Sequence, residues 1–178
     1  MLKDKKIVLG VSGGIAVYKA CDLVSRLKKQ GAQVRVVMTE NAMKFVPKLT
    51  FATLSGNPVM SDTFQERNEL EHISLAKWAD VFLVAPATAN IIAKMANGIG
   101  DDLLSTTALA MTAPVLVAPA MNANMWRHPA TCANVNTLIH HSIINKACSV
   151  GFTVFITIVF TKQTCCIILV IRGCRYKE

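Results

Sequence analysis

A Rossmann-like, doubly wound parallel α/β sheet in a single domain is predicted from three features of the chain. Short apolar runs alternate with segments of helical periodicity. Each run is continuous in its apolar character, as expected of strands covered on both faces. Small, turn-forming residues gather where the runs end, and 178 residues are enough for one sizeable core but too few for two ordinary domains.

The elements follow in order. Ile7-Val8-Leu9-Gly10-Val11 reads as a strand, and Ser12-Gly13-Gly14 breaks it. Over residues 15–29, Ala16, Ala20, Leu23, Val24 and Leu27 recur at helical spacing, with Lys19, Asp22, Arg26 and Lys28 between them. Gly31 is a natural helix stop, and Val34-Arg35-Val36-Val37-Met38 is the next strand. Such a strand–helix–strand unit crosses over right-handed. Residues 73–79 form a short helix with His72 at its start. Val81-Phe82-Leu83-Val84-Ala85 is a buried strand ending at Pro86, and the chain turns helical from Thr88 through Ile91, Ile92 and Met95. Gly98 and Gly100 interrupt, Asp101-Asp102 opens a helix through Leu104 and Leu109, and residues 114–119 form a further strand.

Composition narrows the function classes. Hydrophobic residues make up 52% of the chain and charged residues 17%, which excludes global disorder. The net charge of +8 calls for an anionic partner, yet the basic residues are scattered, without a long run or aromatic interleaving. A small phosphorylated molecule is therefore expected, and not nucleic acid. No acidic residue occurs between Asp102 and Glu178, so much of the imbalance comes from the second half. Met1-Leu2-Lys3-Asp4-Lys5-Lys6 shows no signal-peptide pattern, and a cytoplasmic protein is expected. The six cysteines read as free thiols. Residues 151–171 approach the length of a spanning helix, but Lys162, Gln163 and the β-branched pattern argue against membrane insertion. His128, His140 and His141 have no ligand spacing with Cys148, so no metal site is predicted.

In a doubly wound sheet, ligands bind in the crevice beyond the C-terminal ends of the strands. That places the candidate site at Ser12-Gly13-Gly14, Thr39, residues 86–90 and residues 119–122. Gly10-Val11-Ser12-Gly13-Gly14-Ile15 is neither a dinucleotide fingerprint nor a Walker A loop. Its small residues still expose backbone N–H groups at a helix N-terminus, where a phosphate is favoured. The Ser12 and Thr39 hydroxyls are candidate donors to that phosphate; a plain tight turn is the alternative. Pro86-Ala87-Thr88-Ala89-Asn90 lets a planar ring approach the backbone, with Thr88 and Asn90 as hydrogen-bonding groups. Thr88 also suits a helix N-cap, and the two roles are compatible.

Pro119-Ala120-Met121-Asn122-Ala123-Asn124-Met125-Trp126 is the most distinctive stretch, because loops are normally more polar. Pro119, Met121, Asn122, Met125 and Trp126 match the P-x-M-N-x-x-M-W signature of the homo-oligomeric flavin-containing cysteine decarboxylases, and the chain resembles that family. Ser12-Gly13-Gly14-Ile15, His72-Ile73-Ser74-Leu75-Ala76, residues 86–90 and Asp101-Asp102-Leu103-Leu104-Ser105-Thr106 agree with it, in order. Within the family, the chain is most similar to the phosphopantothenoylcysteine decarboxylase domain of coenzyme A biosynthesis, often fused to a synthetase domain. The 178 residues leave no room for that second domain.

The resemblance implies a flavodoxin-like sheet with FMN as cofactor. Its phosphate would lie at Ser12, Gly13 and Thr39, and its ring near Ile15, Phe45, Thr88, Ala89, Asn90 and Ala120. His72 matches the family's active-site histidine, and Asn122 the asparagine that holds the substrate carboxylate and amide. The family assembles as homotrimers or as dodecamers of trimers, with active sites between subunits. The implied reaction converts 4′-phosphopantothenoylcysteine to 4′-phosphopantetheine. Oxidation of the thiol to a thioaldehyde supplies the electron sink that decarboxylation needs, and His72 would position or relay protons near that thiol. For His72 a packed helix-start histidine is the alternative, and for Asn122 a turn-forming one. Met125 and Trp126 read as packing residues. A peptide-cysteine decarboxylase and a non-catalytic FMN-binding regulator are the competing functions.

The likeness covers residues 1–138, read as the decarboxylase core, and fades after Leu138. The family continues into a flap carrying Ala-Cys-Gly and a later Gly-Arg-like stretch, whose cysteine donates a proton. Here Lys146-Ala147-Cys148-Ser149-Val150-Gly151 keeps only Ala-Cys, so the clamp is missing and an incomplete cycle is the expectation, with FMN binding and the early oxidation and decarboxylation steps retained. Residues 139–178 form a divergent apolar tail, read either as a strand pair completing the sheet or as degenerate sequence on a truncated domain. The abrupt compositional shift favours the second reading.

Overall fold

The apolar runs become strands because helices cover both of their faces. The structure is a computed structural model that describes residues 2–62, 71–141, 154–160 and 165–171. Its elements run β1 (Lys6–Val11), α1 (Val17–Lys29), β2 (Gln33–Met38), α2 (Glu40–Met43), α3 (Lys48–Ser55) and β3 (Val59–Met60). After these come α4 (Glu71–Trp78), β4 (Val81–Ala87), α5 (Ala89–Ala96), α6 (Leu103–Ala110) and β5 (Val115–Met121). The remainder comprises α7 (Ala123–Arg127), α8 (Pro129–His140), β6 (Val154–Phe160) and β7 (Cys165–Ile171).

β3, β2, β1, β4 and β5 lie side by side in that order, all parallel. The chain builds outward from β1 in one direction and from β4 in the other. The boundary between them is the switch point at which a doubly wound sheet opens a crevice. This is the Rossmann-like, flavodoxin-like architecture expected from the sequence. Beyond β5 the backbone of β7 pairs antiparallel through Ala120–Cys166 and Met121–Cys165, and β6 pairs antiparallel with β7. Cys148 and the stretch around it lie outside the described residues.

Two buried clusters sandwich the sheet. On one face Val17, Ala20, Val24 and Leu27 of α1 and Phe51 of α3 pack on Leu9, Val11, Val34 and Val36. On the other, Leu75 of α4, Ile91 and Ile92 of α5, and Leu103 and Leu104 of α6 pack on Val8, Phe82, Val84 and Val117. Fully burying each such side chain stabilises by roughly 1.5–3 kcal/mol. At Gly10 the strand admits α6 closely, since an added Cβ would stand 3.2 Å from Leu104 Cδ1.

Three boundaries differ from the sequence reading. Helix α1 starts at Val17, because the chain first makes a turn in which Val17 N–H donates to Gly14 C=O at 3.0 Å. Strand β4 continues through Pro86 to Ala87, with a cis Ala85–Pro86 bond and a register shift against β5. Strand β5 likewise runs through Pro119 to Met121, so Ala120 is a strand residue and not a loop residue.

Candidate functional site at the switch point

The ends of β1 and β4 are tied together by one hydroxyl. Ser12 is 2% exposed. Its Oγ–H donates to Pro86 C=O at 2.7 Å and its oxygen accepts Thr88 N–H at 3.0 Å. Ser12 N–H also donates to Pro86 C=O, at 3.2 Å. The Ser12 proton expected to meet a phosphate is thus directed at a backbone carbonyl. Thr88 in turn N-caps α5, its Oγ1 accepting Ile91 N–H at 3.4 Å.

Gly13 occupies the next position and admits no side chain. A Cβ there would lie 2.5 Å from Asn41 Cβ and 2.7 Å from the Asn41 carbonyl carbon. The β1–α1 turn therefore lies directly against the start of α2. Thr39 N-caps α2, its Oγ1 accepting Ala42 N–H at 3.2 Å. Its own hydroxyl proton is assigned no acceptor among the described residues. Ile15 at 72% exposure, beside this turn in sequence, and Phe45 at 51%, just after α2, hold apolar surface in solvent. Ala89 and Asn90 open α5, and Ala87 pairs with Pro119, so Thr88 and Ala120 are the next residues along adjacent strands.

Asn122 is exposed and N-caps α7, with Oδ1 accepting Asn124 N–H at 2.8 Å. The turn-forming role considered for it from sequence is thus present, and its side-chain amide remains oriented by that bond. His72 lies in the first turn of α4, half-buried beside the buried Glu71. Its Nδ1 is buried and has no hydrogen-bond partner among the described residues. Ser12, Gly13, Thr39, Thr88 and Ala120 are brought together by pairing, hydrogen bonds and close approach. His72 is joined to none of them by a hydrogen bond among the described residues.

A polar cluster that the sequence reading did not find lies below Asn90. Lys94 Nζ contacts Asp101 Oδ1 at 2.6 Å and Asp102 Oδ2 at 2.8 Å. Burial pulls the ammonium down, but the hydrogen bonds to Asp101 and Asp102 outweigh it and hold its pKa above the ordinary 10.5. The Lys94 hydrogen bond keeps the Asp101 carboxyl below its ordinary 3.8. A basic residue in α5 facing the Asp pair across the Gly98–Gly100 interruption was the available signal.

A model of the family described as Flavoprotein matches residues 1–159. The chain belongs to this family. It is 56% identical over 140 residues to the coenzyme A biosynthesis bifunctional protein CoaBC of Bacillus subtilis (strain 168), covering 78% of this chain and 34% of the relative. The flavoprotein chain thus spans about a third of the length of the curated relatives it matches. Among solved structures it is similar to the FMN-dependent cysteine decarboxylase SpaF, with TM-score 0.75 and 34% identity over 79% of this chain and 82% of that one. It is also similar to a PPC decarboxylase mutant complexed with pantothenoylaminoethenethiol, with TM-score 0.68 and 31% identity over 78% and 77% of the two chains. Among the described residues of this flavoprotein, no helix is long and apolar enough to cross a membrane, and no group of three His, Cys, Asp or Glu is placed to hold a metal.

Proposed function

We propose that this flavoprotein binds FMN at the β1/β4 switch point and decarboxylates 4′-phosphopantothenoylcysteine to 4′-phosphopantetheine. The observation that carries the reading is the Ser12-Gly13-Gly14 turn before α1, tied to the end of β4 through Ser12 and packed against the start of α2 at Gly13. The 56% identity to CoaBC supports the substrate class, and the named ligand of the PPC decarboxylase neighbour supports a pantothenoyl thiol.

The residues present fit the cofactor. Backbone N–H groups of the Gly13–Ile15 turn sit at the N-terminus of α1, which carries no acid in its first turn and Arg26, Lys28 and Lys29 in its last. That polarity favours a phosphate at the turn. Thr39 offers its hydroxyl proton to the same anion. Ser12 contributes by fixing the geometry of the β1 and β4 ends. Ile15, Phe45, Ala89 and Ala120 give a flat ring apolar contact, with Thr88 and Asn90 as polar neighbours.

Bound FMN would supply a reversible two-electron acceptor, which oxidises the thiol carbon so that a C=S group serves as the sink for CO2 loss and then returns the electrons. The protein's part is to bind, orient and exclude water. Asn122, its Oδ1 held by Asn124 N–H, presents its NH2 to the substrate carboxylate. His72, half-buried at the start of α4, holds or moves a proton at the substrate thiol. In this reading the chain works as a homotrimer or a dodecamer of trimers in the cytoplasm, with sites shared between subunits.

Titration of apoprotein with FMN, followed by quenching of flavin fluorescence, tests the site. Saturable binding of one FMN per chain is expected; no saturable binding, in a folded protein, rejects the reading.

A further inference from the structure

The Lys94 cluster joins two parts of the proposed site that no direct bond connects. The Lys94 side chain is 17% exposed, and Asp102 at 26% is also largely covered. Asp102 divides its carboxylate. Oδ2 holds Lys94, while Oδ1 accepts Ser105 N–H at 2.8 Å and N-caps α6. Ser105 Oγ returns the bond by accepting Asp102 N–H at 3.2 Å, which completes a capping box. The Lys94 backbone closes the intervening loop, its C=O accepting Asn97 N–H at 3.3 Å and Ile99 N–H at 2.9 Å around the left-handed Gly98. Residues 97–102 are thus wrapped around one lysine.

Each side of this bridge leads to a site residue. Lys94 lies one helical turn after Asn90 on α5, the helix that Thr88 caps. On the other side, Leu103 and Leu104 of α6 share a buried cluster with Leu75 of α4. Leu75 follows His72 by one turn, and α4 packs directly on α6. Helix α6 therefore stands between the lysine bridge and His72.

We propose that Lys94 is a positioning residue: by fixing the start of α6 to α5 through Asp102, it sets the place of His72 relative to Thr88 and Asn90. The consequence for turnover rests on the decarboxylase reading; the placement of His72 does not. Close-packed side chains transmit such a shift because they have few alternative arrangements.

The test compares Lys94→Met with Lys94→Arg in protein carrying isotope-labelled histidine, with the His72 ring resonances assigned from a His72→Gln variant. In apoprotein, Lys94→Met is expected to move the His72 ring resonances, and Lys94→Arg to keep them near their original positions. In the FMN-loaded protein, Lys94→Met lowers kcat about tenfold with KM and flavin content nearly unchanged, and Lys94→Arg restores kcat. Unmoved His72 resonances in a folded Lys94→Met protein overturn the proposal. If that variant does not fold, Asp101→Ala decides, since it removes one of the two bonds and leaves the Asp102–Ser105 cap of α6. A smaller shift of His72 then supports the role, and none overturns it. Absence of CO2 release from the unsubstituted protein rejects the decarboxylase reading alone, because the resonances still decide the placement of His72.

Discussion

The Thr88 N–H donates to the Ser12 hydroxyl oxygen at 3.0 Å, joining the end of β4 to the end of β1 across the switch point of the sheet. The same hydroxyl donates to Pro86 C=O at 2.7 Å, so one buried side chain completes both strand ends. Crevices between strands that diverge in chain order are where such sheets bind ligands, and this pair of bonds ties together the strand ends at that point.

Ser12→Ala leaves the part-buried Thr88 N–H without its acceptor. An unsatisfied buried donor costs about 1–3 kcal/mol. Urea unfolding is expected to show a loss of that size at an unchanged slope. A change within the ±0.5 kcal/mol typical of surface substitutions would contradict the role given to Ser12.

Gly13→Ala places a methyl group 2.5 Å from Asn41 Cβ and 2.7 Å from a backbone carbon. Backbone cannot yield as a flexible side-chain tip does, so the turn or α2 must move. Overpacking of this kind costs roughly 1–3 kcal/mol. Weaker retention of FMN through gel filtration is expected alongside it. Undiminished flavin retention would show that the turn is not the phosphate cradle.

The Lys94–Asp101 contact predicts a pH window. Asp101 titrates below its ordinary 3.8 in the folded chain because Lys94 donates to it, so its contribution is present above 3.8 and lost as pH falls through the lower folded value. Lys94 titrates above 10.5, so its contribution is present below 10.5 and lost as pH rises through the higher folded value. The stability deficit of Lys94→Met should therefore be largest between those limits and shrink in strong acid. Thermal unfolding of both proteins across pH measures it, and a deficit that persists unchanged in strong acid would refute the electrostatic origin.

His72→Gln removes the proposed proton-transfer group while the switch-point turn, which shares no hydrogen bond with it among the described residues, is left intact. Flavin content is expected to hold while CO2 release falls by about 10²-fold. Loss of flavin in step with activity would assign His72 to cofactor binding instead.

The parallel strands were legible because Ile7 to Val11 and Val81 to Ala85 are continuous apolar runs, which only doubly covered strands require. Helix α8 was not read. It opens at His128, whose Nδ1 accepts Ala130 N–H at 3.2 Å, and its apolar pattern is weak; Pro129 at its first position was the usable signal. Helix α2 escaped for want of length and α3 was not read either, although Thr39 as N-cap and Gly56 in the left-handed region mark their limits. In the site, the grouping of Ser12, Gly13, Thr39 and Thr88 at strand ends followed from topology alone. The Ser12–Pro86 bond did not, because a backbone carbonyl leaves no trace in side-chain sequence. Lys94 was hidden for a related reason: its partners lie beyond a glycine turn, outside the spacing at which helical charge pairs are sought.

The central claim is tested most directly by release of labelled CO2 from carboxyl-labelled 4′-phosphopantothenoylcysteine by the FMN-loaded protein. CO2 release that requires FMN and falls sharply in His72→Gln is expected. Stoichiometric FMN binding with no CO2 from this substrate would contradict it.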